Sequence, residues 1–293
     1  MYRELTLAVY PQVHDLECVL SARFGTLRVM SKTPYAILLL ACLVACTESP
    51  STGADAATSV SPPDCAPDPS VEPSWQVLDL CRSAGQLLSV SAQTHDDVWV
   101  VGASGQILHF DGCRWSTAES GVTTDLWWAA PAINTVFIAG QDGTILRLPR
   151  DRVAPATPMA TPTNVTLFGI WAANESDAWA VGFDPLAPDS DSVILRLVNG
   201  VWSSVEFPSG VDPKTDLFKV WGRAADDVWI VGRDGLILHF DGATLSRVSS
   251  PDTDWVTVTG TDNEVLMVGG SQTGALAILK QGQLTSISLD GAP

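Results

Sequence analysis

The chain has 293 residues, of which 46% are hydrophobic and 11 are Trp, so it can bury the core of an ordinary all-β domain. Only 17% of the residues are charged, whereas the 23 Gly and 19 Pro suit many short strands joined by tight turns. The formal net charge of −17 repels phosphate backbones and anionic lipid head groups, so we expect no nucleic-acid partner. Acidity also keeps a surface protein soluble, and by itself it indicates no ligand.

A secretion signal is predicted at residues 30–45. It has an early lysine, an apolar run over 35–46 and small residues just before Cys46. The run is too short to cross about 30 Å of hydrocarbon as a helix, so we expect no permanent membrane span. Residues 1–29 show no comparable pattern, and we therefore expect translation to start at Met30, with a non-native extension before it.

The last residues of this segment, Leu-Val-Ala-Cys at 43–46, resemble the lipobox of bacterial lipoproteins. The resemblance implies cleavage before Cys46 and acylation of that cysteine. We therefore expect an exported protein anchored by lipid to the bacterial cell envelope, at the outer membrane. Residues 46–73, rich in Pro, Ser, Thr and Asp, are then a disordered tether, and residues 74–293 are the folded domain. The alternative is an ordinary secretory peptide that releases a secreted protein.

Three cysteines stay available as thiols after cleavage and lipidation: Cys65, Cys81 and Cys113. Export permits disulfides, and we prefer a Cys65–Cys81 pair, which would pin the tether to the domain and leave one thiol over. Metal ligation is the rival interpretation, but the chain has no C-x-x-C pair and no histidine cluster beside these cysteines. We predict no metal site and no cofactor.

Five similar repeats occupy most of the remaining chain. Each contains an apolar pentapeptide ending in glycine, and these glycines recur at intervals of 38, 42, 50 and 37 residues. The pentapeptides are VWVVG (98–102), VFIAG (136–140), AWAVG (178–182), VWIVG (228–232) and VLMVG (265–269). An apolar or aromatic run precedes each pentapeptide, and two further strand-like runs follow it.

Asp-Gly and Asn-Gly turns between these runs, as at 111–112 and 199–200, are strong hairpin signals, because both central residues of a type I′ turn need positive φ. Each repeat is therefore a four-stranded antiparallel meander of about 40–45 residues, the length of a propeller blade. The sequence predicts an all-β fold, a β-propeller of about five four-stranded antiparallel blades. The pentapeptide aromatics are expected to pack between blades. These are Trp99, Phe137, Trp179 and Trp229.

The combination D-D-V-W-x-V-G-x-x-G-x-I-L-H-F-D-G is nearly intact at 96–112 and 226–242. It resembles the propeller repeats of exported proteins and lipoproteins abundant in myxobacteria, which are related in pattern to the BNR or Asp-box-like repeats of sialidases and to photosystem assembly factors. The resemblance spans residues 87–289 and implies a fold, not a function. One strand-like run, SWQVLDL (74–80), has no blade before it. It either closes the ring on the last blade or belongs to an incomplete ring that needs a partner.

Binding is expected on the face that holds the second-to-third and fourth-to-first connections, because its loops are the irregular ones. The third repeat carries an insert at 183–193, and the connection 209–216 should emerge on the same side. The candidate binding residues are Asp184, Asp189, Asp191 and Asp212. A tolerated loop expansion is an equal alternative, and the spacing does not match a calcium loop. The Asp residues of the opposite face are expected to be structural: Asp96, Asp97, Asp177, Asp226 and Asp227.

No catalytic residue is predicted. Sialidases use a Tyr nucleophile, and every Tyr of this chain (Tyr2, Tyr10 and Tyr35) precedes the cleavage point, which excludes sialidase activity of the mature chain. The chain also lacks a G-x-S-x-G elbow, a P-loop and HExxH. We expect a membrane-tethered module that binds an envelope protein or a polysaccharide, in an oligomeric state that the sequence does not indicate. The alternatives are a carboxylate-dependent glycan hydrolase or lyase and an envelope assembly factor.

Overall fold

The computed structural model describes residues 86–187, 189–270 and 274–288. The expected extension, signal peptide and tether lie outside these ranges, as do the lipidation site Cys46 and the preferred Cys65–Cys81 pair. These expectations therefore stay predictions. No helix in the described part of the chain is long and apolar enough to cross a membrane.

The described residues form five four-stranded antiparallel sheets, named blades 1 to 5 in chain order. Blade 1 contains β1 (Leu87–Thr94), β2 (Asp97–Gly102), β3 (Ile107–Phe110) and β4 (Trp115–Thr117). Blade 2 contains β5 (Leu126–Pro131), β6 (Thr135–Gly140), β7 (Ile145–Pro149) and β8 (Thr157–Met159). Blade 3 contains β9 (Leu167–Asn174), β10 (Asp177–Gly182), β11 (Val193–Val198) and β12 (Val201–Ser204).

Blade 4 contains β13 (Leu217–Ala224), β14 (Asp227–Gly232), β15 (Ile237–Phe240) and β16 (Leu245–Val248). Blade 5 contains β17 (Trp255–Gly260), β18 (Glu264–Gly269), β19 (Ala275–Lys280) and β20 (Gln283–Ser288). Within every blade, strands that follow one another in sequence are hydrogen-bonded neighbours. The five-bladed all-β prediction is confirmed. In blade 2 the fourth strand, β8, follows the connection 150–156 without an Asp-Gly or Asn-Gly turn before it.

Consecutive blades are joined by apolar cores, because both faces of a middle blade are apolar and each needs a covering neighbour. Four such cores are present, and in each one the pentapeptide aromatic of a blade packs with residues of the next blade's first strand. The four aromatic side chains, Trp99, Phe137, Trp179 and Trp229, are at most 4% exposed. Their predicted role in packing between blades is confirmed.

The five described blades form an open arc. Their first strands pack side by side in the order β1, β5, β9, β13 and β17, and the described residues show no packing of that extent between β17 and β1. They also contain no apolar core between blade 5 and blade 1. Apolar side chains at the two ends are accordingly exposed, with Val90 at 60% and Val268 at 43%. Blade 5 has its own fourth strand, β20. Residues 74–80 lie outside the described ranges, so both predictions for this run stay predictions.

The Asn-Gly turn at 199–200 has the predicted conformation, whereas the Asp-Gly turn at 111–112 does not. In the 199–200 turn both central φ angles are positive, 52° and 84°, as a type I′ turn requires. In the 111–112 turn only the glycine has positive φ, at 89°. The carboxylate of Asp111 instead accepts hydrogen bonds from the backbone N–H groups of Arg114 and Cys113, at 2.8 and 3.0 Å. These two bonds hold the pKa of Asp111 below its ordinary value.

Candidate functional site

The two irregular loops lie together on one face of the arc, as expected from strand order. They run over 183–192, between β10 and β11, and over 205–216, between β12 and β13. The backbone N–H of Ser192 donates to the carbonyl oxygen of Pro213 at 2.8 Å, and this bond joins the loops. Ser192 is buried, so the junction is packed and not merely adjacent.

The four candidate carboxylates in these loops divide into two groups. Asp184 accepts from the N–H of Leu186 at 2.9 Å and Asp212 from the N–H of Lys214 at 3.0 Å, so both hold local turns. Asp189 and Asp191 are exposed. The described residues hold no group of three His, Cys, Asp or Glu side chains placed for a metal ion. The binding role of the four residues stays a prediction.

A β-bulge re-aims one residue at the start of every first strand. In each blade the strand pairs with its neighbour at its first and third residues, and the second is left without a partner. Such bulges turn a side chain away from the regular alternation of a strand and often lie beside functional sites. The bulged residues are Leu88, Trp127, Phe168, Phe218 and Val256. Three consecutive blades therefore place an aromatic ring at equivalent positions.

These bulged aromatic rings meet a fourth ring from the irregular loop. Trp127 and Phe168 lie 5.0 Å apart between ring centroids, Phe168 and Phe183 4.7 Å apart, and Phe183 and Phe218 5.5 Å apart. All four rings are partly exposed. They lie at the end of the first strands where the irregular loops emerge. We call this set, Trp127, Phe168, Phe183 and Phe218, the mouth.

A lysine lies directly behind the mouth. The Nζ of Lys219 lies 3.4 Å from the centroid of the Trp128 ring and donates to the carbonyl oxygen of Phe168 at 3.0 Å. The side chain thus reaches from blade 4 across blade 3 to blade 2. Gly169 leaves room for this path, because a Cβ there would lie 3.0 Å from the Cα of Lys219. Burial lowers the pKa of Lys219 to about 7.

Sequence reasoning did not identify the mouth, because the apolar run of a first strand has the pattern of core. A signal was present in the repeat alignment: an aromatic residue follows the buried leucine in LWWAA, LFGIWAA and LFKVWG. In a regular strand, the side chain after a buried one points to the other blade-packing face. The β-bulge turns the aromatic residue towards the mouth, and no residue type in these strands predicts the bulge.

On the opposite face, Asp97 and Asp227 each hold a Trp–Asp–His cluster, which supports the structural interpretation of these two residues. Oδ1 of Asp227 accepts from Nε1 of Trp229 at 2.7 Å and hydrogen-bonds Nε2 of His239 at 2.9 Å. Burial acts to raise the pKa of Asp227, but donation by Arg223, His239 and Trp229 outweighs it and holds the pKa below its ordinary value. Blade 1 repeats the arrangement with Asp97, Trp99 and His109.

Blade 3 has an arginine at the position of the histidine, but Nε1 of Trp179 has no hydrogen-bond partner among the described residues, so the bond from ring to carboxylate seen in blades 1 and 4 is not repeated. Nε and Nη2 of Arg196 donate to the two oxygens of Asp177 at 3.1 and 2.8 Å. The guanidinium carbon lies 4.9 Å from the centroid of the Trp179 ring. A planar cation can thus replace the imidazole between ring and carboxylate, so the histidines of the repeats occupy packing positions.

Cys113 is disulfide-bonded. It is the sole cysteine in the described residues, so its partner is one of the five cysteines that precede residue 86. A bond to Cys65 or Cys81 would compete with the preferred Cys65–Cys81 pair.

No protein-family model and no curated protein matches the chain. Solved structures match it through the propeller. The β-propeller domain of Swd1 from Myceliophteria thermophila aligns with a TM-score of 0.53 at 12% identity, over 72% of this chain and 71% of that one. YCF48 from Cyanidioschyzon merolae aligns with a TM-score of 0.52 at 12% identity, over 71% of this chain and 73% of that one.

An ancestral GH74 enzyme aligns with a TM-score of 0.55 at 12% identity, over 71% of this chain. The aligned part is 32% of the enzyme, so the chain spans about a third of its length. Likeness at such identities shows the fold alone. These comparisons agree that the chain is a β-propeller.

Proposed function

We propose that this chain is a lipid-anchored module of the bacterial envelope that binds a protein partner at the mouth and catalyses no reaction. The observation that carries the proposal is the row of bulged aromatic residues in three consecutive blades, which leaves apolar rings partly exposed beside two irregular loops. Partly exposed aromatic residues on a rigid frame are typical of the centres of protein interfaces. The two irregular loops beside the rings are held by the rigid repeats, and loops in this position are where repeat proteins commonly bind their partners.

The packing of the rings favours a protein partner over a polysaccharide. Two of the three neighbouring pairs meet edge to face, with interplanar angles of 61° for Trp127 and Phe168 and 85° for Phe183 and Phe218. The third pair, Phe168 and Phe183, is tilted by 32°. Rings arranged this way form a ridged apolar surface that can enclose an aliphatic or aromatic side chain. A flat platform of coplanar rings, on which a sugar ring would stack, is not formed by these pairs.

Site-specific crosslinking tests this assignment. The full chain is expressed in bacterial cells with a photoreactive amino acid in place of Phe183, and crosslinking is carried out on the intact cell envelope. The control chain carries the same amino acid in place of Ile133, which is 72% exposed on the opposite face. We expect one reproducible protein adduct from position 183 and none from position 133. Adding Phe168→Leu and Phe218→Leu should reduce the adduct at least fivefold. Equal adducts from both positions, or adducts with polysaccharide alone, would contradict a protein-binding mouth.

The lipid anchor has a separate test, because it depends only on Cys46. Metabolic labelling with palmitate should label the full chain, and Cys46→Ala should abolish the label and release the protein from the membrane fraction. Cys65→Ala is the matched control and should keep both the label and the membrane association. Label that survives Cys46→Ala would remove the anchor from the proposal and leave the mouth unaffected.

A further inference from the structure

The connections on the mouth side of the arc are strongly acidic. In the described ranges, the second-to-third and fourth-to-first connections hold 12 acidic residues against two basic ones, Lys214 and Arg233. The connections of the opposite face hold seven acidic and three basic residues. The charge of the propeller is therefore concentrated around the aromatic rings. Such a field attracts cations and repels anions before contact.

We call the acidic residues of the mouth-side connections the rim. The pKa of one rim carboxyl shows that neighbouring rim carboxylates repel one another. Burial raises the pKa of Asp216, and the nearby charges of Asp234 and Asp254 raise it further, while Arg233 opposes the shift. Arg233 pairs with Asp216 at 3.0 Å and is one of the two basic residues of the mouth-side connections. The rim thus has more carboxylates than the chain's own cations neutralise, and an added cation would relieve their repulsion.

One cation of the chain already lies against a ring of the mouth. The guanidinium carbon of Arg233 lies 5.9 Å from the centroid of the Phe218 ring. The face of an aromatic ring attracts guanidinium and ammonium groups that stay in contact with water. The same surfaces, where partly exposed, suit the cationic side chains of a ligand.

We propose that the mouth is a docking site for a cationic segment of a partner protein, in which an apolar side chain packs on Phe168, Phe183 and Phe218 and flanking Lys or Arg residues face the carboxylate rim. This inference rests on the proposed binding function and names the chemistry of the partner. The apolar rings bind the apolar side chain of such a segment, and the acidic rim attracts its Lys or Arg residues. A neutral segment lacks the electrostatic attraction, and an acidic segment meets repulsion.

Fluorescence anisotropy with labelled pentapeptides and the full chain tests the inference. The probe is Lys-Lys-Phe-Lys-Lys, compared at 50 mM salt with its Gln-flanked and Glu-flanked counterparts and with Lys-Lys-Gly-Lys-Lys. We expect the first peptide to bind at least tenfold more tightly than the Gln-flanked peptide and at least fivefold more tightly than the glycine peptide. The Glu-flanked peptide should not bind, and the affinity of the first peptide should fall steeply at 200 mM salt.

Matched pairs of neutralising substitutions locate the site. Asp189→Asn with Asp191→Asn removes two exposed charges from the mouth side and should weaken binding about threefold or more. Asp226→Asn with Asp262→Asn removes the same charge from the opposite face and should leave the affinity unchanged. Equal weakening by both pairs, or equal affinity for the Phe and Gly peptides, would overturn the inference in favour of general attraction to an acidic protein. A partner that crosslinks at position 183 through a neutral or acidic segment would overturn it while leaving the binding function intact.

Discussion

Gly182→Ala is expected to lower the free energy of unfolding by about 3 kcal/mol, because an alanine Cβ has no space at the end of β10. That atom would lie 1.9 Å from the carbonyl oxygen of Thr166 and 2.8 Å from the Cα of Leu167. The obstructing atoms are backbone, and the same oxygen accepts from the N–H of Phe183 at 3.1 Å. Moving the chain aside would therefore strain this hydrogen bond, which is worth about 1 kcal/mol, besides disturbing the mouth.

Urea unfolding followed by Trp fluorescence measures the change, and thermal unfolding should show a melting temperature lower by about 6–12 °C. Gly200→Asn is the control, because no atom lies within 4 Å of its Cβ position and asparagine tolerates its φ of +84°. The control should stay within about 0.5 kcal/mol of the parent chain. If Gly182→Ala costs no more than the control, the close approach is not what requires glycine here.

This close approach explains the most regular feature of the sequence. Each pentapeptide ends in a glycine whose Cβ position lies 1.9 to 2.5 Å from a backbone carbonyl oxygen just before the first strand of its own blade. In every blade, the residue after the glycine donates to that same oxygen at 2.8 to 3.1 Å. The spacing of the glycines predicted the five blades correctly. Their reason, a contact between two connections distant in sequence, was not predictable from the spacing.

Strand positions were predictable because apolar periodicity and turn residues act locally. The turn mechanism was less predictable: Asp111 uses its carboxylate as a hydrogen-bond acceptor where positive φ was expected. The Asp177 cluster shows a similar limit, since Arg196 takes the place that histidine has in blades 1 and 4. The repeat position therefore predicts which strand supplies the partner of the aspartate, but the residue type of that partner differs between blades.

The candidate site was only partly predictable, because it depends on contacts between blades. The irregular face was anticipated from loop lengths, and the Ser192–Pro213 bond confirms that its two loops meet. The aromatic rings were not anticipated. Phe183 comes from a loop and Phe218 from a bulged strand, and their contact at 5.5 Å exists only once blades 3 and 4 are packed together.

Lys219→Met is expected to stabilise the protein by about 2 kcal/mol at pH 6. A shift of the Lys219 pKa from 10.5 to about 7 means that folding disfavours its charged form. At about 1.4 kcal/mol per pKa unit the full penalty is several kcal/mol, and partial exposure of the side chain together with loss of its contacts to Trp128 and Phe168 reduces the net gain. Methionine keeps the length and apolar character of the stem.

The sign of the pH dependence follows from the two pKa values. The unfolded chain takes up the Lys219 proton as pH falls through 10.5, whereas the folded chain takes it up only near pH 7. Between these values the unfolded state binds more protons, so the lysine destabilises the fold increasingly as pH falls from 10.5 to 7, and by a constant amount below. The advantage of Lys219→Met should therefore be largest below pH 7 and shrink steadily between pH 7 and pH 9.5.

Melting temperatures of both proteins across pH 5.5 to 9.5 test this, with Lys214→Met as control. Lys214 is exposed on the same side of the arc, so its replacement should leave the pH profile parallel to that of the parent chain. A stabilisation by Lys219→Met that does not change with pH would mean that better packing, and not removal of a desolvated charge, is responsible. A destabilisation at every pH would mean that the bonds of the ammonium to Trp128 and Phe168 outweigh its loss of water, and that this wall of the mouth binds a cation more strongly than the pKa of Lys219 implies.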